Sequence, residues 1–335
     1  MKITIIGMGA IGCLIAARLA RAGARVSAVA RGATLAALQA RGIVVQHADG
    51  SPGIDGVPIY AVSDPAKLGV QDVVILAVKA TQLAGAVAAI GPLVGPHTLV
   101  MTAMNGVPWW FFGPGTGAQA GLALASLDPQ GDFARAVPIE RTLGCVLHLS
   151  AACPQPGTVC LKFGNRLLVG AASSNLAAVA RPLMNALTAG GFDAVWSGAI
   201  RRDIWYKLWG NMTINPISVL TGASADRILD DPLLYQFCLA AMAEASAIGD
   251  RIGCPITQSG TERIAVTREL GAFRTSMLLD AESGKALEID ALITVVHEIG
   301  QAVDVPTPAI NSLLGLIRLH ARVRGLYPDQ GAEVA

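Results

Sequence analysis

KITIIGMGAIG, Lys2–Gly12, decides the fold of this 335-residue chain. Within Lys2–Ile6, Ile3–Ile6 is a run of β-branched residues, the composition of a strand buried on both faces. Gly7, Gly9 and Gly12 follow in a G-x-G-x-x-G spacing, and an Ala-rich helix over Ala10–Ala22 begins inside it. Gly23 stops that helix, and Arg25–Ala30 reads as the next strand. A strand that turns on glycines into a helix lets the backbone approach a pyrophosphate. It also aims the helix amides and their partial positive charge at that group. The same glycines alone are a weak signal. Inside a strand–helix–strand unit they mark Gly7, Met8, Gly9, Ala10, Ile11 and Gly12 as a dinucleotide-binding loop.

Moving outward, Asp72–Val78 and Thr98–Met104 are two further apolar strands, separated by a helical stretch over Thr81–Ile90. Gly144–Ser150 continues the series. Gly157–Leu161 and Arg166–Gly170, joined around Gly164-Asn165, are expected to form a hairpin. Strands alternating with helices imply a parallel sheet covered on both faces. Its carboxyl edge is where ligands bind in such folds, and three strands end there on polar residues. Arg31 closes the second strand where an acidic residue would select NAD; its forked cation suits a 2′-phosphate, so NADP(H) is the expected cofactor. Lys79 ends DVVILAVK, and Asn105 precedes Gly106 after the next strand. The bland alternatives are a solvated arginine, a solvated lysine and a turn asparagine.

Between Pro108 and Arg141 lies a Gly/Pro/Ala-rich segment headed by Trp109-Trp110-Phe111-Phe112. It reads either as a lid beside the site or as a surface insertion. Beyond about residue 198 the strand signals vanish. Helical periodicity covers Ile204–Trp209, Pro232–Ile248, Thr261–Leu270, Glu288–Val303 and Thr307–Val323. The expected fold class is therefore α/β: a Rossmann-type dinucleotide-binding domain over 1–197, with the 108–141 insertion, then an all-α domain over 198–335. The cleft between two such domains is the expected ligand site.

In the second domain Trp205–Pro216, WYKLWGNMTINP, sets Lys207, Asn211 and Asn215 at i, i+4 and i+8. They share one helical face, across an arc of roughly 80°. Asparagine is a mediocre helix former, and a buried unpaired amide costs about 1–3 kcal/mol. Two of them beside an ammonium in an apolar helix suggest a stripe that faces a carboxylate or a keto oxygen. A satisfied core network is the alternative. Pro216 is expected to end or kink the helix at Asn215. Ser276, Asp280, Glu288 and Asp290 form a last polar cluster, in which serine suits a carboxylate and a buried glutamate could tune the lysine.

Composition excludes several classes. Net charge is +1 and only 15% of residues are charged, so no nucleic-acid or acidic-membrane footprint is present. Apolar runs are all broken well short of a spanning length, and MKITIIG reads as a strand rather than a signal segment. The six cysteines are scattered without a C-x-x-C pair, so no metal site is expected and a reducing, cytoplasmic setting is the default.

Taken in order, GMGAIG, Arg31, the VK at Lys79, the NG at Asn105, the K-x3-N-x3-NP helix and the S-M-L…E-I-D pattern resemble the ketopantoate reductase (2-dehydropantoate 2-reductase) family over residues 1 to about 310. The resemblance implies NADPH on Gly7–Gly12, with Arg31 near the 2′-phosphate and Lys79 and Asn105 lining the cofactor side. Ser150 occupies another cofactor-contacting position. Lys207 is implied as the general acid, Glu288 as its neighbour beside the cofactor. Asn211, Asn215 and Ser276, with Asn105, would hold a small 2-oxo acid. The implied activity is reduction of ketopantoate to (R)-pantoate in pantothenate and coenzyme A synthesis, and the family leaves room for a homodimer. The chain departs from the family pattern at three places: the long segment after Asn105, TGASADRIL at Thr221–Leu229, and Leu292-Ile293 where Asn-Gly is common. Another oxo-acid reductase on the same scaffold, or a non-catalytic NADP(H)-binding regulator, are the rival expectations.

Overall fold

The structure is a computed structural model that describes residues 1–173 and 175–329. The last residues of the expected second domain, 330–335, lie outside the described residues. Two compact units emerge, Met1–Gly115 with Gln130–Asp203, and Thr116–Pro129 with Ile204 onward.

The first unit opens as expected with β1 (Lys2–Ile6), α1 (Ala10–Arg21) and β2 (Arg25–Val29). There follow α2 (Gly32–Arg41), β3 (Ile43–His47), β4 (Ile54–Val57) and β5 (Tyr60–Val62), none of which the periodicity signalled. Next come β6 (Val73–Leu76), α3 (Leu83–Ile90), β7 (Leu99–Thr102), α4 (Asp132–Ala136), β8 (Thr142–Gln155) and β9 (Thr158–Ala171). The last elements are α5 (Ala177–Ala189) and β10 (Asp193–Trp196). One ten-stranded sheet runs β4-β3-β9-β8-β7-β6-β1-β2-β5, with β10 also on β9. Within it β5-β2-β1-β6-β7-β8 are all parallel neighbours. That is the doubly wound dinucleotide-binding order, whose direction reverses between β1 and β6. Ile3, Ile5, Val73 and Ile75 join the buried face of α1 and Leu183 and Leu187 of α5 in one core cluster. Their neighbours Val74 and Leu76 are buried on the opposite face, so the sheet is covered on both sides.

The hairpin lies elsewhere than expected. Gly164-Asn165 is not its turn, because β9 runs straight through both residues and pairs antiparallel with β8 along its length. Gly164, at φ +79°, is absorbed where the register shifts between His148 and Leu149. The turn belongs to Pro156-Gly157, where Gly157 has φ +74°.

The 108–141 segment is neither a plain surface insertion nor, at its head, a free lid. Trp109, Trp110, Phe111 and Phe112 are all buried. The Trp110 indole donates to Thr102 Oγ1 on β7 at 3.2 Å. A Cβ on Gly144 would meet the Trp110 ring at 2.8 Å, so this glycine is what admits the indole beside β8. Arg201 lies 4.8 Å from the Phe111 ring centroid, a cation–π contact. Residues 116–129 belong to the second unit, which otherwise begins at Ile204. Their anchor is Glu298, whose carboxylate accepts the Ala125 and Ser126 amides and the Ser126 hydroxyl.

The helices of the second unit are the long α6 (Ile200–Thr221, its first turn in the first unit), α7 (Ala225–Asp230), α8 (Pro232–Arg251) and α9 (Gly260–Arg268). They continue with α10 (Ser276–Glu282), a π-helical segment Asp290–Thr294 leading into α11 (Val295–Ala302), and α12 (Pro308–Val323). Of the two outcomes expected at Asn215, an end or a kink, the end does not occur. It carries Pro216 inside and continues to Thr221. Burial explains the persistence: Met212 through Val219 are all buried, so packing outweighs the one backbone hydrogen bond that proline cannot donate. The Trp205 and Trp209 indoles tie α6 to α8 through the Ala245 and Met242 carbonyls at 3.2 and 2.7 Å.

Candidate active site

In the first unit the backbone ladder brings four of the expected positions to one edge. The Ala77 amide donates to the Ile6 carbonyl at 2.8 Å, the Ala103 amide to Leu76 at 2.8 Å, and β2 ends level with β1. Arg31, Gly7, Lys79 and Asn105 therefore each sit one to three residues past the carboxyl ends of adjacent strands β2, β1, β6 and β7. The reversal point between β1 and β6 falls at Gly7, where a Cβ would meet the Ala77 carbonyl oxygen at 2.6 Å.

The three glycines of the loop are not equivalent. Gly7 has φ +97°, a conformation few side chains tolerate. A Cβ on Gly12 would collide with the Gly7 carbonyl at 1.9 Å, so helix and strand are joined with no room for a methyl group. Around Gly9 the same probe meets nothing. Gly9 is exposed and caps α1, whose first turn holds no acidic residue. Two glycines thus close the turn and the third leaves an open face of backbone beside a helix N-terminus. This is the arrangement a dinucleotide pyrophosphate requires, and the residues fit that group.

Arg31 is exposed and opens α2 as its N-cap. Lys79 and Asn105 are half-buried. Ser150 lies farther out on β8, opposite Phe163 and six residues beyond the last pairing with β7, roughly 20 Å along the strand.

In the second unit Lys207 and Asn211 are half-buried and Asn215 is buried at 7% exposure, on a helix whose other directions are filled by Trp205, Leu208, Trp209 and Met212. Ser276 is exposed at the first turn of α10, behind the N-cap Thr275, whose hydroxyl accepts the Leu278 amide at 3.1 Å. Thr275 also meets Ser218 Oγ of α6 at 2.6 Å, and Ser218 Oγ donates to the Asn215 carbonyl at 2.6 Å. The turn that carries Asn215 is thereby joined to the turn that carries Ser276. Ser218 was missed in the sequence, although eleven residues make about three helical turns and put it on the Lys207 face.

Glu288 stands between two fixed points. The Leu287 amide donates to the Leu326 carbonyl at 3.0 Å, and the π-helical segment begins at Asp290. Asp290 Oδ1 accepts from Thr294 Oγ1 at 2.8 Å and from the Tyr327 hydroxyl at 2.7 Å, while Arg318 donates to Thr294. Burial pushes the Tyr327 phenol up to about 12, and its bond to the Asp290 carboxylate adds to the shift. Departure residues Leu292 and Ile293 are buried within this segment. Single π turns inside α-helices are frequent at functional sites.

Burial raises the Cys13 thiol to about 12 and Cys238 to about 11, so both stay protonated and unreactive. Among the described residues no group of His, Cys, Asp and Glu could hold a metal ion, and no helix is long and apolar enough to cross a membrane.

A doubly wound sheet with a glycine loop at its reversal point, followed by a helical unit with a Lys/Asn stripe, places the chain in a class: the NAD(P)-dependent oxidoreductases that act on CH–OH/C=O groups. The family model "Ketopantoate reductase PanE/ApbA" matches residues 3–174, and its C-terminal companion matches 199–321. The 2-dehydropantoate 2-reductase of Mesorhizobium japonicum is 40% identical over 328 residues, 98% of this chain and all of that protein. A Ralstonia solanacearum MolK2 protein, solved as a candidate ketopantoate reductase, shares 53% identity and a TM-score of 0.92, covering 97% of this chain and 99% of its own. A D-mandelate dehydrogenase with NADH and anilino(oxo)acetate shares the fold alone, at 20% identity and TM-score 0.80 over 97% of this chain and all of its own. The chain belongs to the ketopantoate reductase family.

Proposed function

We propose that this protein reduces ketopantoate to (R)-pantoate with NADPH, in the cytoplasm, as a step of pantothenate and coenzyme A synthesis. The observation that carries the reading is the stripe on α6: one ammonium and two carboxamides on a helix otherwise built into a core. The 40% identical 2-dehydropantoate 2-reductase of Mesorhizobium japonicum supports the substrate.

The dinucleotide, when bound, supplies the hydride. Gly7–Gly12 would hold its pyrophosphate on open backbone, Arg31 its 2′-phosphate, and Lys79, Asn105 and Ser150 would line its path. Reduction of a ketone builds negative charge on oxygen. The Lys207 ammonium stabilises that charge and delivers the proton that completes the alcohol, after which it is reprotonated from solvent. Asn105, Asn211, Asn215 and Ser276 orient the 2-oxo acid through neutral donors, and Glu288 sets the charge balance beside the lysine. In this reading residues 1–197 serve the cofactor and 198–335 the substrate.

Leu292 and Ile293, apolar and buried where the family often has Asn-Gly, favour one second reading, a different small 2-oxo acid on the same machinery. A panel of 2-oxo acids, each followed by loss of NADPH absorbance, separates the two. Ketopantoate should have the highest kcat/KM. Preference for another acid selects the second reading, and no turnover with any acid leaves a dinucleotide-binding regulator.

A further inference from the structure

We infer that Ser218 and Thr275 are a positioning pair that holds Asn215 and Ser276 in one substrate-binding register. The inference rests on the reading of Asn215 and Ser276 as ligands of the oxo acid.

Ser218 is wholly buried and Thr275 is 3% exposed. Their hydroxyl oxygens lie 2.6 Å apart across 57 residues of sequence. The direction of each bond follows from counting protons. Ser218 has one hydroxyl proton and gives it to the Asn215 carbonyl. The bond between the two hydroxyls must then use the Thr275 proton, donated to Ser218 Oγ. Thr275 in turn accepts the Leu278 amide. The chain runs one way, from the α10 backbone through Thr275 and Ser218 to the backbone of Asn215, and every proton in it is used.

A serine that bonds back to its own helix is common and needs no special role. Two features set this one apart. Pro216 cannot donate into the helical ladder, so the turn around Asn215 lacks a rung where its side chain must be held still. Ser218 adds a bond to that same turn. Its second bond also leaves α6 and reaches the N-cap of the helix on which Ser276 is the first residue. A core that needed only volume here would be met by alanine and valine, with no buried hydroxyls to satisfy. Groups that bind a substrate must be held within about half an ångström of their working geometry. This pair links the two backbones on which that geometry depends.

The test uses the full-length enzyme, with ketopantoate and NADPH as probes. Ser218→Ala and Thr275→Val should each raise KM for ketopantoate about tenfold or more while KM for NADPH stays within about twofold. Thr275→Ser, which keeps the hydroxyl, should restore the wild-type KM. Combining Ser218→Ala with Asn215→Ala should add little beyond Asn215→Ala alone, because the first change acts through the second residue. If Ser218→Ala does not fold, the Thr275→Val and Thr275→Ser comparison carries the same contrast. Lower melting temperature with both KM values unchanged, or equal rises in both, would overturn the inference and leave an ordinary structural contact. Asn215→Ala and Ser276→Ala separate the two levels. Should they leave KM for ketopantoate unchanged, the substrate reading itself fails and the pair falls with it. Should they raise it while Ser218→Ala does not, the positioning role alone fails.

Discussion

A Cβ placed on Gly12 would sit 1.9 Å from the carbonyl oxygen of Gly7, whereas one placed on Gly9 would touch nothing. The first contact is structural and the second space is available to a ligand. Gly12→Ala should therefore lower stability by about 1–3 kcal/mol, through a forced shift of helix against strand. Gly9→Ala should melt as the wild type does and yet bind NADPH at least about tenfold more weakly, because its methyl group occupies the approach to the backbone. Thermal melting together with NADPH fluorescence titration reads both. Equal loss of stability in the two variants would contradict this division of labour.

Arg31 is exposed at the start of α2, beyond the carboxyl end of β2. Its replacement by alanine should raise KM for NADPH by a factor of about ten or more, in keeping with a charge-assisted contact to phosphate, and leave KM for NADH nearly unchanged. Equal effects on the two cofactors would remove Arg31 from the 2′-phosphate.

The Tyr327 phenol, raised to about 12 chiefly by burial, gives alkaline stability a definite sign. Its pKa when folded exceeds the unfolded value of roughly 10, so the folded state holds the proton more tightly. The contribution is fully present below pH about 10 and is lost as pH rises towards 12. A difference titration of wild type against Tyr327→Phe, followed by phenolate absorbance, should show the missing step near 12. Tyr327→Phe should also flatten the loss of stability across this range. A missing step at the ordinary phenol value would contradict the burial assignment.

Much of this was legible in the sequence, for identifiable reasons. Lys2–Gly12 combines a periodicity change with a glycine spacing, and close packing around Gly7 and Gly12 leaves no room for a side chain at either. The Lys207, Asn211 and Asn215 stripe was legible because polar residues in an apolar helix are costly. Other features depended on contacts that local patterns do not encode. Gly164 looked like a turn, but its positive φ is spent on a shift of register. Pro216 looked like a helix end or kink, and burial on both sides of it carries α6 onward. The segment headed by Trp109–Phe112 read as a lid or a surface insertion because nothing nearby shows that Gly144 leaves a space for an indole. Ser218 sits on the marked face, yet a serine in a helix draws no notice until Thr275 is found beside it.

The central claim is proton delivery by Lys207, and steady-state turnover of Lys207→Ala tests it most directly. With ketopantoate and NADPH both saturating, kcat should fall by a factor on the order of 10²–10⁴, the size of a lost general acid, while NADPH binding persists. A Lys207→Ala enzyme that is folded, binds NADPH and keeps the wild-type kcat would contradict the account.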